Sequence, residues 1–147
     1  MHEFLIRLPQ FVGHHFLLVA AFIVIILALA ALEVSRKFTG YRELTPGALV
    51  QLINRGEPLV IDLSAIVDFE KGHITGSKHV AVSQFDPENK DLAKAKELQV
   101  VTVCKNGVES AKAAKRLVKA GFTHVATLGG GIGAWRRADL PLAKGKR

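Results

Sequence analysis

The residue in this chain best suited to covalent chemistry is Cys104, the single cysteine among 147 residues. It lies in VVTVCKNGVESAKAAKRL, residues 100–117: a run that favours extended structure, then the cysteine, a short loop with one glycine, and a helical pattern. Two readings compete. Cys104 is a reactive sulfur presented at the end of a strand, or it is a small apolar residue filling space. The loop favours the first. Lys105, Asn106, Gly107, Val108 and Glu109 can turn backbone N–H groups inward to make a nest for an anion, with Ser110 closing the loop. Gly107 permits the positive φ that such a turn needs. The positive end of the following helix points at the same place, and Lys105 adds a charge. Together these groups favour negative sulfur over its protonated form. The same cradle would hold a persulfide anion, whose outer sulfur lies farther into the loop.

Other chemistries of a cysteine at the head of a loop fit less well. A phosphatase loop needs arginine six positions after the cysteine to grip phosphate through two hydrogen bonds, and position 110 is serine. A thiol protease needs a histidine partner, and nothing in the sequence places one beside Cys104. One cysteine excludes an intramolecular disulfide and every CxxC metal or redox motif. The six histidines do not cluster, so no metal and no cofactor are expected. Leu128-Gly129-Gly130-Gly131-Ile132-Gly133 follows a strand pattern and opens a helix, but its spacing is not GxGxxG. The chain also ends before it could supply the later acidic residue of a dinucleotide site. These glycines are expected instead to allow tight passage beneath the Cys104 loop.

The elements that must position this loop alternate in type. Thr45-Pro46 caps a helix with Ala48, Leu49, Leu52 and Ile53 on one face, stopped by Gly56 and Pro58. Residues 59–63 read as a buried strand. Ser64 can cap a short helix carrying Ile66, Val67 and Phe69 and ending at Gly72. Residues 78–81 form a weak strand, 83–96 hold a helical turn or two, and 98–103 form a strong strand. Ser110 can cap the helix 110–120, with Ala111, Ala114, Leu117 and Val118 inward and its lysines outward. Residues 124–128 form a further strand, and 131–137 a final helix carrying Trp135. Strands alternating with helices predict an α/β fold with a largely parallel sheet flanked by helices, and sites in such sheets lie at the carboxyl ends of strands.

The N-terminal part differs in kind. No Asp, Glu, Lys or Arg occurs between Arg7 and Glu33, and Phe16–Leu32 is unbroken apolar sequence. Counted from Phe11, the apolar run reaches roughly 33 Å as a helix, against a hydrocarbon core of about 30 Å. Ala28-Leu29-Ala30 resembles a signal cleavage site, but the run is long and Ser35-Arg36-Lys37 follows at once, which favours a retained anchor. The expected layout is a short segment 1–13, a single transmembrane helix 14–34, a linker 35–40 and a domain 41–147. The excess of Arg36, Lys37 and Arg42 over Arg7 places that domain in the cytoplasm, at an inner membrane. The net charge of +7 is carried after the anchor and would hold the domain toward anionic lipid. The basic residues are scattered and no aromatics interleave them, which argues against nucleic acid as a partner.

The soluble part resembles a single rhodanese domain, the fold of thiosulfate and related sulfurtransferases, over about residues 41–140. The resemblance rests on four ordered segments: VIDLS at 60–64, DFEKGHITGSKHV at 68–80, VVTVCKNGVES at 100–110 and AGFTHVATLGGGIGAW at 120–135. An anchor followed by one such domain is similar to the membrane-bound branch of the family. The resemblance implies that Cys104 is the nucleophile, taking sulfane sulfur from a donor and passing it to an acceptor, with residues 105–110 as its binding loop. Donor and acceptor are small molecules or protein persulfides, and membrane proteins are candidate partners. Gly72-His73-Ile74 matches a family turn in which His73 is structural, and Trp135 is core. Two departures stand out. Many members carry Arg two positions after the strand aspartate, where this chain has Ser64. Glu109 puts a carboxylate at the loop rim, where it would repel an anionic donor by about 1–2 kcal/mol. Both favour an alternative function: a catalytically weak or inactive domain of this fold that docks partner proteins at the membrane.

Overall fold

A computed structural model describes residues 15–37 and 39–146, and of residues 32 and 35–37 only the backbone. The chain divides into two compact units, the second beginning at Gly40. The first unit contains one helix, α1, Phe16–Lys37. It is apolar on all sides, and its large side chains from Phe16 to Leu29 are largely exposed. It continues through the residues assigned by sequence to the start of a linker, because Ser35-Arg36-Lys37 contains nothing that breaks a helix. The transmembrane helix expected over 14–34 overlaps α1, Phe16–Lys37. Among the described residues, no helix is long and apolar enough to cross a membrane. The segment 1–13 lies outside the described residues.

The second unit is a five-stranded, wholly parallel sheet covered by helices on both faces. Its elements are β1 Arg42–Leu44, α2 Pro46–Arg55, β2 Leu59–Asp62, α3 Ile66–Lys71, β3 Lys78–His79, a 3-10 turn Val82–Gln84, α4 Lys90–Ala93, β4 Val100–Val103, α5 Val108–Lys119, β5 Val125–Leu128 and α6 Gly131–Arg137. The strand order is β1-β5-β4-β2-β3. Position in the sheet follows composition. VVTV and VATL are buried at every residue and take inner places, while REL and the two-residue strand KH form the edges. Short edges leave little unpaired backbone for another chain to join.

Each face has its own core. On one, Ala113, Ala114 and Leu117 of α5 meet Ile61, Val100, Val125, Phe85 and Phe122. On the other, Leu49 of α2 and Ile132 and Trp135 of α6 meet Val60, Val101, Val103 and Leu128. Trp135 is 3% exposed, and its indole N–H donates to the Pro141 carbonyl at 2.9 Å, so it is a core residue whose polar end is satisfied. His73 is fully buried, stacked on Phe69 with ring centres 3.8 Å apart, and donates through Nδ1 to the Phe69 carbonyl at 2.8 Å. Both roles are structural, as the sequence predicts.

Two capping expectations fare differently. Thr45 caps α2 by accepting from the Ala48 N–H at 3.2 Å. Ser64 does not cap α3. Ala65 holds that position without a side-chain bond, because the Ser64 N–H turns back to Asp62 Oδ1 at 2.8 Å. From β2 the chain goes to β3 on one side and then crosses to β4 on the other. The carboxyl ends of β2 and β4 therefore flank the switch point of the sheet, where Ser64 and Cys104 emerge.

Candidate active site

Cys104 follows the last residue of β4 and is 3% exposed. Its chain neighbours on the sheet fix where it points: Val103 pairs in register with Asp62 of β2, and Leu63 donates its N–H to the Val103 carbonyl at 2.8 Å. The sulfur is in contact with the apolar core on one side and with polar groups on the other. The Gly107 N–H donates to Sγ at 3.1 Å and the Ser110 N–H at 3.4 Å. Sγ lies 3.5 Å from Ser110 Oγ and 3.7 Å from Asn106 Oδ1, both of which can accept from a thiol. Two backbone dipoles aimed at one sulfur stabilise negative charge there without any need to reorganise, and hydrogen bonds to a charged acceptor are worth about 1.5–3 kcal/mol each.

The loop owes its shape to two residues. Gly107 has φ +91°, in the left-handed region, and occupies the N-cap of α5. Asn106 turns its Oδ1 onto the Val108 N–H at 3.2 Å, which bends the chain into the helix. The helix consequently begins at Val108, two residues earlier than Ser110 predicts. Ser110 sits inside its first turn, where the hydroxyl donates to the Gly107 carbonyl at 3.1 Å rather than capping.

Of the loop residues singled out by sequence, Gly107 and Ser110 touch the sulfur through their amides and Asn106 approaches it through its side chain. Val108 spends its N–H on Asn106 and leaves its side chain 52% exposed. The two charged members turn elsewhere. Lys105 Nζ pairs with Asp68 at 3.2 Å, and Glu109 pairs with Lys112 at 2.8 Å. Lys105 therefore does not aim its charge at Sγ. The rim carboxylate of Glu109 is matched by a neighbouring ammonium, which weakens its expected repulsion of an anion. Both pairs are exposed enough to contribute no more than about 1 kcal/mol to stability.

Two supporting residues carry no obvious signal in sequence. Thr102 and Thr127 sit in otherwise apolar strands and are buried. Thr102 donates to the Ser110 carbonyl at 2.9 Å, and Thr127 Oγ1 lies 3.0 Å from Ser110 Oγ and 3.1 Å from the Thr102 carbonyl. They tie the first turn of α5 to the sheet, so the amide of Ser110 is held against the sulfur. The only available signal is a hydroxyl in each of two fully buried strands, which must find a partner.

Beneath the loop lies the glycine run. The carbonyls of Cys104 and Lys105 accept the N–H groups of Ile132 and Gly133, at 2.9 and 3.1 Å, at the start of α6. Gly131 has φ +58°, and a Cβ there would collide with the Cys104 carbonyl oxygen and sit 2.8 Å from the Gly107 nitrogen. The glycines thus permit two backbones to touch, as the sequence predicts. Among the described residues, no group of His, Cys, Asp and Glu could hold a metal ion.

The Rhodanese-like domain family matches residues 45–138, a span that includes the Cys104 loop and the glycine run. The chain belongs to the rhodanese-like family. The Escherichia coli K12 protein YibN, itself uncharacterised, is 35% identical over 141 residues, 95% of this chain and 99% of that one. A thiosulfate sulfurtransferase, GlpE of Shewanella oneidensis, is 29% identical over 106 residues, covering 69% of this chain and 98% of the relative. A crystal structure of a rhodanese-related protein from Thermoplasma volcanium superposes with a TM-score of 0.61 at 22% identity, over 70% of this chain and 98% of that one, which is a likeness of fold.

Proposed function

We propose that this rhodanese-like protein is a membrane-anchored sulfurtransferase that carries sulfane sulfur as a persulfide on Cys104. The observation that carries the reading is the pair of backbone N–H groups, from Gly107 and Ser110, directed at one buried sulfur. Such a site suits a thiolate that attacks the outer sulfur of thiosulfate. A Cys104–S–S⁻ bond forms, the donor S–S bond breaks, and its electron pair leaves on sulfite. In the second half-reaction a nucleophilic acceptor removes that sulfur and returns the thiolate. Negative charge is present on the sulfur at both stages, and fixed amides stabilise it at both. Residues 105–110 form the binding loop. The GlpE relatives, which are thiosulfate sulfurtransferases, support the reaction class.

The anchor is supported by sequence: the uncharged interval between Arg7 and Glu33 contains 22 apolar or weakly polar residues from Phe11 to Leu32, about 33 Å as a helix. The charges after it favour an inner-membrane location with the catalytic domain on the cytoplasmic side. Full-length protein treated with thiosulfate or a persulfide donor should gain the mass of one sulfur, and Cys104→Ser should not. Absence of any gain with all donors tested would falsify the transfer reading. Membrane fractionation and protease protection of the full chain test the anchor separately.

A second reading has an observation in its favour. Cys104 is only 3% exposed and Lys105 is engaged by Asp68, as suits a domain that docks partner proteins at a membrane without transferring sulfur. On that reading Cys104→Ser keeps function in cells while deletion of the N-terminal helix abolishes it.

A further inference from the structure

Beside the Cys104 loop, outside the cradle itself, lies a cavity of about 280 Å³. It is bordered by Ser64 after β2, Asp68 and Lys71 of α3, Lys105 of the loop, and Gly133 and Arg136 of α6. Its charges are unbalanced. Asp68 is already paired with Lys105 at 3.2 Å. Lys71 and Arg136 have no ion-pair partner among the described residues, and the Arg136 guanidinium lies against Gly72, where a Cβ would come within 3.4 Å of Nη2. Ser64 is 6% exposed, and its buried hydroxyl has no hydrogen-bond partner among the described residues. A buried hydroxyl without a partner is costly, and Ser64 stands on the wall of this cavity.

We propose that the cavity seats an oxyanion, such as a carboxylate, carried by the thiol that accepts sulfur from Cys104. This rests on the transfer reading above and names its acceptor class. The cradle atoms Sγ and residues 106–110 are not part of the cavity wall, so one compact anion does not occupy both places. A molecule with a thiol at one end and a negative group a few bonds away spans them. The acceptor thiol gives its proton to the persulfide anion, and the resulting thiolate attacks the outer sulfur of Cys104–S–SH. The inner S–S bond breaks with its electron pair returning to Sγ, and R–S–SH departs with the proton still on the transferred sulfur. Lys71 and Arg136 act only on the distant anion, so they set the choice of acceptor and not the bond chemistry.

The test uses full-length protein already carrying one sulfur on Cys104, discharged into 3-mercaptopropionate, 2-mercaptoethanol or cysteamine and followed by intact mass. After correction for the thiolate fraction of each, the anionic thiol should outrun the uncharged one about tenfold and the cationic one by more. In Lys71→Gln/Arg136→Gln that ratio should fall below about twofold. A ratio unchanged by the double substitution overturns the proposal. So does a double variant that slows loading from thiosulfate as much as it slows discharge into 3-mercaptopropionate, since the cations would then serve the donor. If Cys104 never takes up sulfur, the transfer reading fails, and the cavity is decided on its own by titrating Cys104→Ser with 3-mercaptopropionate. Amide NMR shifts at Gly72 and Gly133 that vanish in the double variant support the oxyanion seat, and no shifts at all reject it.

Discussion

Replacing Gly131 by alanine should disable the site from beneath without substituting any residue that contacts the sulfur. Its backbone has φ +58°, which costs a residue with a Cβ about 1–2 kcal/mol. The added carbon would collide with the Cys104 carbonyl oxygen and come within 2.8 Å and 2.9 Å of the Gly107 and Asn106 nitrogens. All three are backbone atoms and cannot rotate away, so the loop must lift from α6. Lifting weakens the bonds from Ile132 and Gly133 to the loop carbonyls, worth about 1 kcal/mol each. The sum is about 3–4 kcal/mol, or roughly 12–16 °C in melting temperature for a domain of this size. A displacement on the order of 1 Å also takes the Gly107 and Ser110 amides off the sulfur, and sulfur loading should slow at least tenfold. Gly133→Ala is the control for stability. A Cβ there meets the Lys105 carbonyl at 3.5 Å, an ordinary contact, and gains about 0.5–1 kcal/mol in helix propensity. Thermal unfolding by circular dichroism and loading by intact mass report the two effects. If Gly131→Ala melts within a few degrees of the parent and loads sulfur at the same rate, the seating of the loop on α6 has been misjudged.

Ser110→Ala removes the hydroxyl that joins the Gly107 carbonyl, Thr127 and the sulfur; it should cost about 1 kcal/mol in urea unfolding and shorten the lifetime of loaded sulfur severalfold. Glu109→Gln should change the rate of loading from thiosulfate less than about threefold, because Lys112 already balances that carboxylate at 2.8 Å; a larger gain would mean that the pair is not formed in solution. Leu117→Ala, at a position with no exposure in the α5 core, should lose about 2–5 kcal/mol of unfolding free energy, and an effect under 1 kcal/mol would contradict the packing described.

The strands and the loop were legible because composition and environment agree. VVTV and VATL can only be inner strands, and a cysteine after the first of them must emerge at a carboxyl end. The last helix is found over Gly131–Arg137 as the sequence predicts, since glycines open it and charge follows it. The start of α5 was not legible, because Ser110 has the chemistry of a cap. The actual turn depends on the left-handed backbone of Gly107 and on the Asn106 side chain. Edge strand β1 was missed because three residues, REL, show no periodicity and gain their order only by pairing with β5. The direction of Lys105 was out of reach for a different reason. Its partner Asp68 lies 37 residues earlier, and only the fold brings the two together.

The central claim is that the Gly107 and Ser110 amides hold negative sulfur at Cys104. Their amide proton resonances, recorded on full-length protein before and after it gains one sulfur, test this most directly. Both should move further than the amides of residues outside the loop, and both should stay in place when Cys104→Ser is exposed to the same donor. A loaded protein in which these two resonances are unmoved, or a protein that no donor loads, would contradict the account.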